Sequence, residues 1–223
     1  MNLKVIAKIE NDFPTKFGLP RQSGLSKVQA KIVFEKEYGD ENAFRGLEEF
    51  SHVWVLWGFS EVEDKEFSPT VRPPRLGGNK RMGVFATRAP YRPNPIGLSC
   101  VKLDKIEKRD GRVVLFITGA DMMSGTPVYD VKPYIPHSDC VQATSGFSGK
   151  VLDYELEVEF SDSAKGALTK SDMESLREVL AQDPRPSYKE DGDKRYGFLW
   201  KDKEIKFRVI EGVLTVLEVE VVR

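Results

Sequence analysis

Along residues 3–10 apolar and polar side chains alternate, with Leu3, Val5, Ala7 and Ile9 on one side, the period-two signature of a half-buried strand. Residues 31–35 predict a second short strand. Residues 41–50 predict a short helix, with Leu47 and Phe50 on the same side as Ala43 or Phe44. The run 52–59 is nearly all apolar and aromatic and predicts a strand buried on both faces. Residues 81–87, 98–106 and 112–118 predict further strands, with Asp110-Gly111 as the hairpin turn between the last two. Residues 121–136 read as loop, strand, loop. Short strands at this spacing, separated by turn residues, predict a closed or nearly closed β-barrel.

The pattern changes near Gly149. Residues 151–160 alternate strongly, Asp153, Glu155, Glu157 and Glu159 against Leu152, Tyr154, Leu156, Val158 and Phe160. Ser171 reads as a helix N-cap with Glu174 three residues later, a capping box. Leu176, Val179 and Leu180 then keep helical spacing to Gln182, and Asp183-Pro184 ends the helix. Three strand-like runs follow, 196–200, 205–211 and 213–222. The predicted fold is mainly β: an N-terminal barrel over residues 1–147 and a small α+β domain over residues 148–223. Two connections, 11–26 and 67–80, are long for structureless loops in a compact domain, and such loops are usually functional. Pro90, Pro93 and Pro95 forbid a regular helix or a central strand over 88–97.

Composition narrows the classes. With 223 residues the chain buries enough surface to fold without disulfide or metal staples. No apolar run reaches a membrane span, and residues 1–6 lack the apolar stretch of a signal peptide, so a cytoplasmic protein is expected. Cys100, Cys140, His52 and His137 are too few and too scattered for a zinc site. The net charge of −1 carries no nucleic-acid signal, but its distribution does. No acidic residue lies between Phe67 and Leu103, where Arg72, Arg75, Lys80, Arg81, Arg88, Arg92 and Lys102 all fall. The preceding stretch is acidic, from Glu35 to Glu66. Segregation of this kind builds a local positive field on a neutral protein.

Nucleotide-binding glycine loops are excluded by context. Gly77-Gly78 is followed by Lys80-Arg81 and a predicted strand, where a Rossmann turn needs a helix. The run 146–150 has the wrong spacing for a phosphate loop. The informative segment is 83–98, Gly-Val-Phe-Ala-Thr-Arg-Ala-Pro-Tyr-Arg-Pro-Asn-Pro-Ile-Gly-Leu. Three prolines stiffen it, and a stiff loop loses little entropy on binding. Its arginines suit a carboxylate or a phosphate equally well, as in an amino-acid cofactor tail or an RNA backbone. The same residues also suit a rigid structural loop whose arginines cap backbone carbonyls.

This run resembles the TrmO/TsaA-like family of tRNA N6-adenosine methyltransferases. So do the segments Phe17-Gly18-Leu19-Pro20-Arg21-Gln22, 48–54, 71–79, 121–134 and Asp183-Pro184-Arg185-Pro186-Ser187-Tyr188. One departure stands out: the family often has a second aspartate before Gly-Thr-Pro, where this chain has Ser124. The resemblance implies a barrel that binds S-adenosylmethionine outside any Rossmann scaffold, a transfer-RNA substrate carrying N6-threonylcarbamoyladenosine beside the anticodon, and a homodimer with the site close to the subunit interface. It implies a cofactor site lined by Arg21, Gln22 and Ser23, by Phe59 and Ser60, by Arg88 and Leu98, and by Thr118, Gly119, Ala120 and Asp121.

The methyl donor carries its own activation, so no metal is required. Placement of the acceptor can supply roughly 7–11 kcal/mol of barrier lowering, against about 10²–10⁴-fold for a general base. Asp121 and Tyr188 are the candidates to polarise the acceptor nitrogen, Tyr188 alternatively stacking on the modified base. Arg72, Arg75, Lys80, Arg81, Arg92, Asn94 and Arg185 are the candidate RNA contacts. Two rivals stay open: a barrel that binds RNA without chemistry, and a methyltransferase for a small metabolite.

Overall fold

A computed structural model describes residues 2–62, 67–73, 76, 80–151, 154–185 and 193–222. Six antiparallel strands close a barrel: β1 (Ala7–Glu10), β2 (Gln29–Phe34), β3 (His52–Gly58), β6 (Ile96–Arg109), β7 (Arg112–Thr118) and β8 (Pro127–Pro133), in the order β1-β2-β7-β6-β3-β8. A two-stranded ribbon, β4 (Thr70–Val71) and β5 (Met82–Gly83), lies in the connection from β3 to β6. Inward residues of the barrel strands alternate with outward ones, so Ile9, Ile32, Val53, Val55, Val101, Leu115 and Ile117 form one core. Its closure leaves no sheet edge.

A second core lies in the C-terminal part. There β9 (Glu157–Phe160), β10 (Arg195–Trp200), β11 (Lys203–Ile210) and β12 (Val213–Val221) form a sheet in the order β10-β11-β12-β9, with β12 and β9 parallel. The helices α2 (Asp162–Ala167) and α3 (Lys170–Ala181) connect β9 to the rest, α3 burying Leu176, Val179 and Leu180 among Phe198, Trp200 and Phe207. A short helix α1 (Pro136–Asp139) follows the barrel.

The long connection 11–28 joins the two cores. Phe13 and Val28 are buried in the C-terminal core although they belong in sequence to the barrel. Phe17 stacks on Phe207, and Gly18 (φ +90°) lies so close to Phe198 that a Cβ would sit 2.4 Å from its ring. The length of this loop is thus accounted for by its crossing to the second domain.

Several expectations are corrected by tertiary context. The first strand begins at Ala7, and β9 spans only Glu157–Phe160. Residues 41–50 form two 3₁₀ turns, Glu41–Phe44 and Leu47–Glu49, because Gly46 (φ +87°) breaks the helix. Residues 81–87 carry only the two-residue β5 and a 3₁₀ turn, Val84–Ala86. β3 is fully buried only on its inner face; outside, Trp54 is half-buried, packing on Tyr134 and donating to Asp139 of α1 (2.9 Å). The cap of α3 is Thr169, whose side chain accepts from the Asp172 backbone while Asp172 reaches back to Thr169, so the capping box starts two residues earlier than expected. The imperfect alternation of β6 is a bulge between Leu103 and Lys105. The Asp110-Gly111 hairpin forms as expected, both residues at positive φ.

Candidate functional site

A cleft of about 330 Å³ opens at one end of the barrel, within the size range of small-molecule sites. Four segments converge on it. Arg21 and Gln22 come from the 11–28 loop; Trp57 and Phe59 from the end of β3; Thr87, Arg88, Arg92, Ile96, Gly97 and Leu98 from the proline loop and the start of β6; and Asp121 from the turn after β7. Of the residues named from sequence, Arg21, Gln22, Phe59, Arg88, Arg92, Leu98 and Asp121 therefore line one cleft.

The acidic corner is a buried relay. The Trp57 indole N–H donates to Ser99 Oγ (3.0 Å), and Ser99 Oγ donates to Asp121 Oδ1 (2.6 Å). Both partners face inward because β3 and β6 pair in register, with Trp57 opposite Gly97. Gly97 is required there: a Cβ on it would fall 2.2 Å from the Trp57 ring. Burial pushes the Asp121 carboxyl above the usual aspartate range; the Ser99 hydroxyl, the backbone N–H groups of Asp121 and Ser23, and the Arg88 charge pull the other way.

The cationic side is organised by hydrogen bonds to side chains and to backbone carbonyls. Arg88 donates to Gln22 Oε1 (2.6 Å), and Gln22 donates to the Arg21 carbonyl (2.7 Å). Arg21 reaches across to the C-terminal domain, donating to the carbonyls of Asp183 (2.5 Å) and Arg185 (2.8 Å). Asp183 adopts φ +51° and forms a fork with Arg185 (2.8 Å) while accepting from the Tyr154 hydroxyl (3.0 Å). Burial alone would raise the Asp183 carboxyl, but Arg185 and Tyr154 hold it below the ordinary range.

The remaining sequence candidates fall elsewhere. Ser23 adjoins the cleft through its backbone. Gly119 (φ +91°) is a structural hinge: its carbonyl accepts from Gly24 and its N–H donates to Val28, so it ties the 11–28 loop to the barrel end. Ala120 is buried in the barrel core. Thr118 turns outward and donates to Asp104 (2.6 Å), and Ser60 starts an exposed 3₁₀ turn; neither lines the cleft. Arg72, Lys80, Arg81 and Asn94 are exposed, Arg81 donating to Thr70 (3.0 Å). Arg92 donates to the carbonyls of Val84 (3.2 Å) and Thr87 (2.8 Å), so it clamps its own loop and forms part of the cleft wall. Arg185 is likewise engaged within the protein. Tyr188 and Arg75 lie outside the described residues.

Sequence reading missed Trp57, Gly97 and Ser99. The inward alternation of β6, Gly97-Ser99-Val101, was the available signal, masked by the bulge downstream. Among the described residues no group of His, Cys, Asp or Glu could hold a metal ion, and no helix is long and apolar enough to cross a membrane.

The fold is a closed antiparallel barrel with a cleft at its mouth, followed by a second, four-stranded sheet. Residues 8–140 match the family model of the tRNA-methyltransferase O N-terminal domain, and residues 153–222 that of the TrmO C-terminal domain. The chain belongs to the TrmO family. It is 38% identical over 225 aligned residues, covering 96% of each chain, to the tRNA (adenine(37)-N6)-methyltransferase of Escherichia coli. It is 34% identical to an S-adenosyl-L-methionine-binding protein of Archaeoglobus fulgidus, over 66% of this chain and 98% of that one. A crystal structure of TrmO from P. aeruginosa superposes with a TM-score of 0.80 at 32% identity, covering 99% of this chain and 97% of that one.

Proposed function

We propose that this protein transfers the methyl group of S-adenosylmethionine to N6 of threonylcarbamoyladenosine beside the anticodon, and that it works as a homodimer. Its family is that of a tRNA methyltransferase, its relative in E. coli is named for the adenine-N6 reaction at position 37, and a relative in Pseudomonas aeruginosa is named as a putative S-adenosylmethionine-dependent methyltransferase. The observation that carries the reading is the convergence of Arg21, Arg88, Trp57, Phe59 and Asp121 on one cleft at the barrel mouth.

The chemistry of that lining fits the cofactor. Arg21 and Arg88 suit its carboxylate, Asp121 its positive charge, and Trp57, Phe59 and Leu98 its adenine ring. When bound, the cofactor supplies an activated methyl group. The protein's part is then to bind the RNA, exclude water and aim N6. The carbamoylated nitrogen is a weak nucleophile, and Asp121, held by Ser99 at the cleft wall, is proposed to accept its hydrogen. Because the carboxyl is raised by burial, it is a better proton acceptor than an exposed aspartate. Arg72, Lys80, Arg81 and Asn94 are proposed to hold the RNA backbone, and the cleft, lined in part by the exposed Ile96 and Leu98, is proposed to lie close to the subunit contact.

The test is methyl transfer from labelled S-adenosylmethionine to transfer RNA with and without the threonylcarbamoyl group. Labelling of the modified RNA alone supports the reading. Labelling of neither, with the cofactor bound, assigns another acceptor. No cofactor binding leaves an RNA-binding barrel.

A further inference from the structure

The cleft does not account for one exposed feature beside it. Phe85 is 71% exposed and Phe67 49% exposed, and their rings stack at 6.3 Å with an interplanar angle of 27°. A single exposed aromatic residue is ordinary. Two stacked ones on the surface, held on a stiff frame, form a patch that calls for a partner.

The frame of Phe85 is stiff. Phe85 is the central residue of the 3₁₀ turn Val84–Ala86. That turn is anchored by Val84, which is buried and donates its N–H to the Pro69 carbonyl (3.0 Å), and by Thr87, which donates both N–H and hydroxyl to the Val84 carbonyl. Arg92 clamps the carbonyls of Val84 and Thr87, and its guanidinium stands 5.5 Å from the centre of the Phe85 ring. Thr87 and Arg92 also line the cleft, so the aromatic pair stands at the cleft's edge.

The surroundings select the partner. Phe67 and Phe85 lie within the stretch 67–103, which contains no acidic residue, and the exposed Arg72, Lys80, Arg81 and Arg88 share it. Aromatic faces interleaved with cations along a rigid loop suit a single-stranded nucleic acid, whose bases stack and whose phosphates pair. We propose that Phe85, backed by Phe67 and Arg92, is a stacking platform for an unpaired base of the RNA loop next to the acceptor adenosine. It thereby holds the loop open while the acceptor enters the cleft. This rests on the transfer-RNA reading and assigns the residue that grips the neighbouring nucleotide.

The experiment uses the full chain and an anticodon stem–loop RNA carrying threonylcarbamoyladenosine, with 2-aminopurine as the flanking nucleotide. Its fluorescence reports stacking and its titration reports affinity, neither needing turnover. Quenching is expected with the wild type and with Phe85→Trp. Phe85→Ala should abolish the quenching and weaken binding about 5- to 150-fold, the range for loss of one base–aromatic stack, with S-adenosylmethionine affinity by calorimetry unchanged. Wild-type RNA binding with Phe85→Ala within twofold of it overturns the platform and leaves the methyltransferase reading intact. Phe85→Ala that converts a dimer to a monomer in light scattering overturns it in favour of a subunit interface. Failure of the wild type to bind the RNA at all overturns both.

Discussion

Ser99 and Asp121 are 22 residues apart in sequence, and the Ser99 hydroxyl lies 2.6 Å from Asp121 Oδ1. Ser99 is only 1% exposed and also accepts from the Trp57 indole N–H. One hydroxyl therefore orients the carboxylate on the cleft wall and satisfies a buried donor behind it. Ser99→Ala leaves the indole N–H without its acceptor, which costs roughly 1–3 kcal/mol. The expected result is lower stability in a denaturant titration together with a fall in single-turnover rate. A rate equal to wild type at saturating RNA would show that the orientation of Asp121 does not matter to the reaction.

Asp121→Asn separates function from stability. The native carboxyl titrates above the unfolded value, about 3.9, because burial disfavours the charge. Below both values the group is protonated in either state and has no effect on folding. As pH rises through the unfolded value, the unfolded chain loses its proton first and the native state is penalised. The variant is therefore expected to be as stable as wild type at pH 7, or more so, while its turnover falls about 10²–10⁴-fold if the carboxylate accepts the acceptor's proton. In the wild type, kcat/KM should drop on the acid side at a pH above the ordinary aspartate range, and that limb should vanish in the variant.

Gly97→Ala tests the packing beneath the cleft. The added methyl would lie 2.2 Å from the Trp57 ring, on the buried inward face of β6, and must displace the indole. Overpacking of this kind costs about 1–3 kcal/mol. Displacing Trp57 also breaks its bond to Ser99, so the affinity for S-adenosylmethionine should fall by roughly tenfold or more, in step with about 1.4 kcal/mol per decade. Calorimetry on the folded variant reads this directly.

The start of α3 distinguishes two caps. Thr169→Ala removes the side chain that accepts from the Asp172 backbone and should cost about 1 kcal/mol. Ser171→Ala, inside the helix, should stay within about 0.5 kcal/mol of wild type. The reverse order in thermal unfolding would restore the cap at Ser171.

Strands with one buried face were readable because alternation along a few residues is enough to mark them, as in Ala7–Glu10 and Glu157–Phe160. The resemblance of the proline loop also pointed to Arg21, Arg88 and Asp121 together. What a one-dimensional pattern does not carry is which partner a side chain meets. Both Thr169 and Ser171 can cap a helix, and only the path of the chain out of α2 chose Thr169. Thr118 and Asp121 are three residues apart, yet one faces the outer wall and the other the cleft, because the strand ends and Gly119 turns the chain between them. Trp57, Gly97 and Ser99 became a unit only through the pairing of β3 with β6, and Phe13 became part of the C-terminal core only by crossing to it. The sequence by itself determined the strands, the stiff cationic loop and the family. The tertiary structure decided which of those residues share a cleft, since register and long-range packing bring together groups that no local spacing links.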